Sequence, residues 1–203
     1  DTSAPVASFS QVATPRNTGV SSLDVTFTES VSGFDASDLS LTFNGNPVSL
    51  SGTSISGSGA NYTISGLNTT AQGAYVLNLN FNASGISDAA GNALGANASV
   101  SWSVDTSSPA VAIMSNTNKL NPGQTATITF TFSTAPTGFD ASDVTAVGGA
   151  ISGLTKSSNT VYTATLTPAL NFSGKGSVAV SNGYTNAAVT AGLPGLSEAI
   201  AID

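Results

Sequence analysis

Six residues, Gly33-Phe34-Asp35-Ala36-Ser37-Asp38, return letter for letter as Gly138-Phe139-Asp140-Ala141-Ser142-Asp143, 105 positions further on. A second echo runs at nearly the same spacing, with Asp1-Thr2-Ser3-Ala4-Pro5 returning as Asp105-Thr106-Ser107-Ser108-Pro109. Asp203 falls where a third copy is due. Self-similarity at a fixed period means that one supersecondary unit is built more than once. The repeat divides the 203 residues into two domains, 1–104 and 105–203, and fits an internal segment of a longer array.

Within each repeat the hydrophobic pattern has period two. Tyr75, Leu77, Leu79 and Phe81 share one face, and Asn78, Asn80 and Asn82 share the other. Leu23, Val25 and Phe27 alternate with Asp24, Thr26 and Thr28, and Ala126, Ile128, Phe130 and Phe132 alternate with Thr125, Thr127, Thr129 and Thr131. Apolar side chains inward and β-branched threonines outward describe half-buried antiparallel strands. The spacing predicts strands near 6–12, 22–29, 38–44, 47–57, 61–66, 73–82 and 97–104 in the first repeat. In the second they fall near 109–115, 124–132, 143–148, 150–156, 160–167, 174–182 and 197–202. Asn44-Gly45 and Gly148-Gly149 sit at matching places and are expected to be tight hairpin turns. The fold class is therefore all-β: two tandem seven-stranded immunoglobulin-like β-sandwich domains arranged end to end. Val100, Trp102 and Val104 lie in the inward phase of the last strand, which assigns Trp102 to the core.

Charge then narrows the function. Charged residues make up only 7% of the chain, and eleven acids against four bases give a net charge of −7. Four basic residues cannot neutralise a phosphate backbone, so no nucleic acid is expected as a partner, and an anionic membrane surface is disfavoured too. No apolar run reaches the length of a membrane span, so no membrane insertion is expected. The chain has no cysteine and no histidine, which removes disulfides, thiolates and the commonest acid–base and nucleophile pairings. Asp35 and Asp38 form a carboxylate pair, but on a short polar loop without an aromatic platform. The chain is read as no enzyme. Lys119, Lys156 and Lys175 occupy turn-like or solvent-phase positions, against a core isopeptide crosslink. Sequons at Asn61, Asn68 and Asn82 are what so Ser/Thr-rich a chain yields by chance.

Strand parity places the acids. If strands alternate up and down, the start of strand one and the loops after strands two and six share one pole. Asp1, Glu29, Asp35, Asp38 and Asp88 are then expected to meet there. Glu29 continues the inward phase of Leu23, Val25 and Phe27, so it must sit at the rim, where a cation can compensate it. Arg16, the only base of the first repeat, falls in the first loop at the opposite pole. Clustered carboxylates without a base repel one another, and a hard divalent cation, Ca²⁺ outside cells, resolves this. Turn capping by each aspartate alone is the competing reading. In the second repeat Asp105, Asp140 and Asp143 correspond to Asp1, Asp35 and Asp38, while Thr134 replaces Glu29 and Asn186 replaces Asp88. A second metal site is accordingly weaker.

Several runs carry a family resemblance. They are Asp105 to Val111, Gly123 to Ser133, Ala135 to Val144, Val161 to Pro168 and Phe172 to Gly174, together with Val25 to Glu29, Gly33 to Asp38 and Ser87 to Asn92 in the first repeat. The sequence resembles the bacterial Ig-like tandem repeats of large secreted surface and biofilm adhesins. That resemblance implies a monomeric, non-catalytic stalk segment at the bacterial cell surface, flanked by neighbouring repeats of the same chain, with Ca²⁺ at domain poles and junctions stiffening the rod. Other parts of such a protein would engage the host or biofilm surface. It implies Asp1, Glu29, Asp38 and Asp88 as ligands, with Asp35 beside them and Asp105, Asp140 and Asp143 as counterparts. The alternative is an Ig-like module that binds a carbohydrate or protein ligand through exposed aromatics, of which Tyr184 is the one candidate.

Overall fold

The computed structural model describes residues 1–82 and 84–203; Ala83, inside the Asn82 sequon, lies outside the described residues. The chain separates into two units, Asp1–Thr106 and Ser107–Asp203. Among the described residues no helix is long and apolar enough to cross a membrane.

Unit 1 contains β1 (Ala7–Phe9), β2 (Ser22–Ser32), β3 (Leu39–Phe43), β4 (Asn46–Val48), β5 (Ser54–Ser65), β6 (Gly73–Leu79), β7 (Ser87–Asp88) and β8 (Ala98–Val104). One sheet runs β1-β2-β5, with β7 also paired to β2; the other runs β4-β3-β6-β8. The alternation read from the sequence is the burial pattern of β2, where Leu23, Val25, Phe27 and Val31 are buried and their neighbours exposed. Those side chains meet Leu41 of β3, Leu77 of β6 and Trp102 of β8 in one core. Trp102 stacks on Tyr75 with ring centroids 5.6 Å apart and planes 13° from parallel. Each such side chain contributes about 1.5–3 kcal/mol by leaving water, and this burial holds the two sheets together.

Unit 2 contains β9 (Val111–Ser115), β10 (Lys119–Leu120), β11 (Ala126–Phe132), β12 (Val144–Val147), β13 (Gly149–Lys156), β14 (Val161–Pro168), β15 (Gly174–Val180), β16 (Gly195–Leu196) and β17 (Ile200–Ile202). Its sheets run β13-β14-β11-β9 and β10-β17-β15-β12, with β16 on β15. Both units are sandwiches of two sheets, the immunoglobulin-like architecture that the strand count implied.

Three local expectations differ. Residues 47–57 and 61–66 read as two strands, but the structure has the short β4 and then one continuous range, β5, that doubles back on itself. Ser56 Oγ lies 3.5 Å from the Thr63 carbonyl oxygen. Gly57 backs onto the Asn61 carbonyl so closely that any Cβ would collide with it. Asn44 and Gly45, at φ 47° and 81°, do form the expected two-residue turn, joining β3 to β4. Gly148-Gly149 does not make a hairpin. The chain turns there at φ 81° but passes to the other sheet, so that β12 pairs with β15 and β13 with β14.

The third correction concerns Tyr184, expected to be exposed. Its ring is fully buried against Phe132 and Phe139, and its hydroxyl donates toward the Leu193 and Pro109 carbonyl oxygens at 2.6 and 3.2 Å. A phenol can enter a core when its O–H finds a carbonyl, and alternation alone does not show that carbonyl. The exposed-aromatic signature of a ligand-binding module is thereby lost at this position.

Candidate metal centre

The repeated loop comes first, because its two aspartates are employed locally. Asp35 caps a single 3-10 turn, Ala36–Asp38: its carboxylate accepts from Ser37 N at 2.7 Å and from Ser37 Oγ at 2.6 Å. Asp38 reaches back, its Oδ2 accepting from Asp35 N at 2.9 Å. This reciprocal arrangement is a capping box, in which two backbone N–H groups are satisfied by the side chains that follow and precede them. The Ser37 hydroxyl hydrogen bond holds the Asp35 carboxyl below its ordinary value, and burial pushes that of Asp38 up. The second copy is the same, with Asp140 accepting from Ser142 N and Oγ at 2.7 and 2.6 Å and Asp143 Oδ2 from Asp140 N at 3.0 Å. Asp140 is likewise held low by Ser142. Phe34 and Phe139 explain the repeated spacing within the motif. Each plugs its core end edge-on, Phe34 against Phe27 and Tyr62 at 5.5 and 5.3 Å, Phe139 against Phe132 and Tyr162 at 4.8 and 5.0 Å.

The structure brings together three of the five expected acids of unit 1. Carboxylate oxygens of Asp1, Glu29 and Asp88 lie within 4.8 Å of one another, and neither Asp35 nor Asp38 belongs to that group. Local strand geometry makes the cluster. Glu29 is half-buried in the inward phase of β2, two residues before Val31, and Val31 pairs with Asp88 of β7. The N-terminal segment is laid against the same strand: Val6 N donates to Thr28 Oγ1, Thr28 N to the Val6 carbonyl and Gly95 N to the Pro5 carbonyl. Asp1 is thereby held beside Glu29 and Asp88.

Asp88 is the anchor. Only 7% of it is exposed. Oδ1 accepts from Asn92 N and Oδ2 from Asn92 Nδ2, both at 2.8 Å. The Asn92 amide also points at the Asp1 carbonyl oxygen, 3.3 Å away. The hydrogen bond from the Asn92 side chain keeps the Asp88 carboxyl below its ordinary value, with backbone N–H groups of the loop adding to it against the opposing effect of burial. Asp88 therefore stays ionised beside two further carboxylates.

Oxygen ligands of Ca²⁺ stand about 2.3–2.6 Å from the ion, so opposed ligands are about 4.6–5.2 Å apart. The three carboxylates, with oxygens all within 4.8 Å of one another, are close enough to share one such ion. An all-oxygen set of three negative groups, without histidine or cysteine in the chain, matches a hard cation rather than a transition metal.

The same loop in unit 2 keeps the backbone and changes the chemistry. Asn186 N donates to the Thr190 carbonyl and Val189 N to the Asn186 carbonyl, as Asp88 N does to Asn92 and Gly91 N to Asp88. Thr190 N donates to Asn186 Oδ1 at 2.9 Å, the place of the Asn92-to-Asp88 bond. Asn186, buried like Asp88, then uses its own Nδ2 to donate to the Ser107 carbonyl at 3.1 Å. A neutral amide thus ties the loop to the entering segment. Asp105 lies at the end of unit 1, where its N donates to the Arg16 carbonyl at 2.8 Å.

The model of a family described as bacterial Ig-like domain matches residues 1–104 and again residues 105–202. The chain belongs to the bacterial Ig-like domain family. No curated protein sequence matches it. Among solved structures, this bacterial Ig-like pair is similar to FdeC, an Escherichia coli adhesin, at 16% identity and a TM-score of 0.43, over 100% of this chain and 65% of that one. It is similar to titin domains Z1Z2 at 18% identity and a TM-score of 0.31, over 100% and 98% of the two chains. Murine CEACAM1b matches at 14% identity and a TM-score of 0.31, over 98% of each chain.

Within this bacterial Ig-like pair, two residues matter that pattern reading passed over. Asn92 lies in the loop after Asp88, and its amide links Asp88 to Asp1. Its signal was available as the four-residue interval Asp88 to Asn92, repeated as Asn186 to Thr190. Ser107 takes part through its backbone carbonyl, which leaves no mark in a sequence.

Proposed function

We propose that the chain is a non-catalytic spacer segment of a bacterial cell-surface adhesin, exported from the cell and continuous with further repeats of its kind. Its first repeat binds one Ca²⁺ between Asp1, Glu29 and Asp88. The observation that carries the metal reading is the approach of these three carboxylates to within 4.8 Å in a unit whose only basic side chain is Arg16, which forms a backbone bridge with Val104 at the far end of the last strand. Three like charges so close are unfavourable unless a cation joins them. Membership of the bacterial Ig-like family supports the spacer reading.

The position of Asp1 supports a stiffening role. The segment that matches Asp1–Pro5 is Asp105–Pro109, the stretch that leads from one repeat to the next. An ion that grips the first residue of such a segment and the rim of the sandwich fixes the linker to its domain, removing backbone freedom at the joint. Absence of histidine and cysteine supports a role without catalysis.

Calorimetric titration of the chain with CaCl₂ tests the site. One binding event is expected, and it disappears in Asp88→Asn and in Glu29→Gln. A heat-silent titration with no change in the amide spectrum of residues 86–92 overturns it.

A further inference from the structure

The two units finish the same sheet differently. In unit 1, β4 lies along β3, with Leu41 opposite Val48, Thr42 opposite Pro47 and Phe43 opposite Asn46. In unit 2 the chain leaves β12 at Gly148 and enters the opposite sheet, so β12 is the last strand of its sheet. Among the described residues its outer edge has no strand beside it.

Side-chain burial records the missing strand. Leu39 and Leu41 of β3 are buried, while Val144 and Ala146 of β12, which also pack against a core, are only half-buried. Val147, in the outward phase of the same strand, is 57% exposed on the outer face of the sheet. In unit 1, Val48 and Leu50, on and just past β4, pack against the core beside them. Natural sheet edges are commonly blunted with lysine, proline or a bulge. β4 carries Pro47, whereas Val144-Thr145-Ala146-Val147 carries no proline and no charge.

We propose that the free edge of β12 accepts an extended, uncharged segment of a partner protein as an added antiparallel strand, with an apolar residue at every second position. The chain supplies the template for this occupant, since Asn46-Pro47-Val48 and Leu50 fill the matching place in unit 1. Main-chain hydrogen bonds along the edge bind the segment, and its alternate apolar side chains cover Val144 and Ala146. An edge without charge selects against charged segments, because a carboxylate or ammonium placed over those two side chains loses water without gaining a partner. This site is independent of the metal reading, lying on a strand that contains none of the acids.

The probe is a peptide copying residues 45–51, added at about 2 mM to the full chain while amide hydrogen exchange is followed residue by residue by NMR. Exchange at Val144 and Ala146, whose N–H groups face away from β15, is expected to slow about fivefold, which corresponds to a ligand at roughly four times its Kd, with β3 unchanged. A peptide with Val48→Asp should give no protection. Unchanged exchange at β12 overturns the proposal, as does equal protection by the aspartate peptide. Protection that grows with protein concentration and needs no peptide overturns it too, since a second copy of the chain is then the occupant.

Discussion

The loops at 88–92 and 186–190 share backbone hydrogen bonds but differ in charge, one holding a carboxylate and the other a neutral amide. In the first, Asp88 receives two bonds from Asn92 and faces Asp1 and Glu29. In the second, Asn186 is both acceptor from Thr190 and donor to Ser107. One atom explains the difference. A carboxylate only accepts, so it cannot close on a backbone carbonyl and must recruit Asn92 or a cation to do so. An amide carries its own donor and closes directly. The fold therefore tolerates two ways of tying a sandwich to its entering segment, one through the Asn92 amide beside the proposed cation site and one through the Asn186 amide itself.

The largest expected effect that sharpens this contrast is thermal. Calcium at about a hundredfold excess over its Kd should raise the melting transition of unit 1 by about 10 °C and leave that of unit 2 in place, with EDTA reversing the shift. Asp88→Asn should make unit 1 indifferent to the ion. A shift of both transitions together would break the distinction.

Tyr184 is next. It stands where unit 1 has Ile86, each giving its carbonyl to a partner eight residues on, Leu94 N to Ile86 O and Gly192 N to Tyr184 O. Tyr184→Phe removes the O–H that Leu193 and Pro109 carbonyls accept, and is expected to cost unit 2 about 1–2 kcal/mol in urea unfolding with unit 1 unaffected.

Val189 separates the loops in a third way. Gly91 holds φ 87° without strain, but Val189 adopts φ 64° at the same point while 69% exposed. A β-branched side chain in the left-handed region costs about 1–2 kcal/mol, and little packing is at stake. Val189→Gly should therefore stabilise unit 2 by about 1 kcal/mol, read from the same urea curves. A loss of stability instead would mean that the side chain holds the loop in place.

The smallest effect is that of acid. The Asp88 carboxyl lies below its ordinary value, so its contribution is fully present above the unfolded pKa and is lost as pH falls through the folded one. Asp38, pushed up by burial, acts in the opposite sense: the folded state binds its proton more tightly, and acidification through its folded pKa favours folding. In calcium-free buffer, the stability difference between the parent chain and Asp88→Asn should thus shrink below about pH 4, because protonation makes the parent resemble the variant. A difference that persists in acid would show that Asp88 acts through shape rather than charge.

Much of this was legible in the residues. Period-two alternation at Leu23–Phe27 and Ala126–Phe132 gave the strands, since a half-buried sheet leaves no other pattern. Parity brought Asp1, Glu29 and Asp88 to one pole. The same argument also carried Asp35 and Asp38 there, because parity assigns a loop to an end of the sandwich but says nothing of what its side chains hydrogen-bond. The capping box claims those two carboxylates within three residues. Gly148-Gly149 read as a hairpin because two glycines permit many turns; the sheet that β13 joins is decided by pairing with β14.

The sequence by itself determined the two-fold repeat, the all-β class, the inward and outward faces of the strands, and the lack of any histidine or cysteine. Each of these depends on local pattern or on composition, which need no partner from elsewhere in the chain. Only the tertiary structure decided what the motif Gly33–Asp38 is for. Its aspartates close a turn and its phenylalanine closes a core, while the candidate cation site is assembled beside it from residues 1, 29 and 88. Which carboxylates meet, and which are already spent on a neighbouring N–H, is a matter of distances between atoms far apart in sequence, and no reading of adjacent letters contains them.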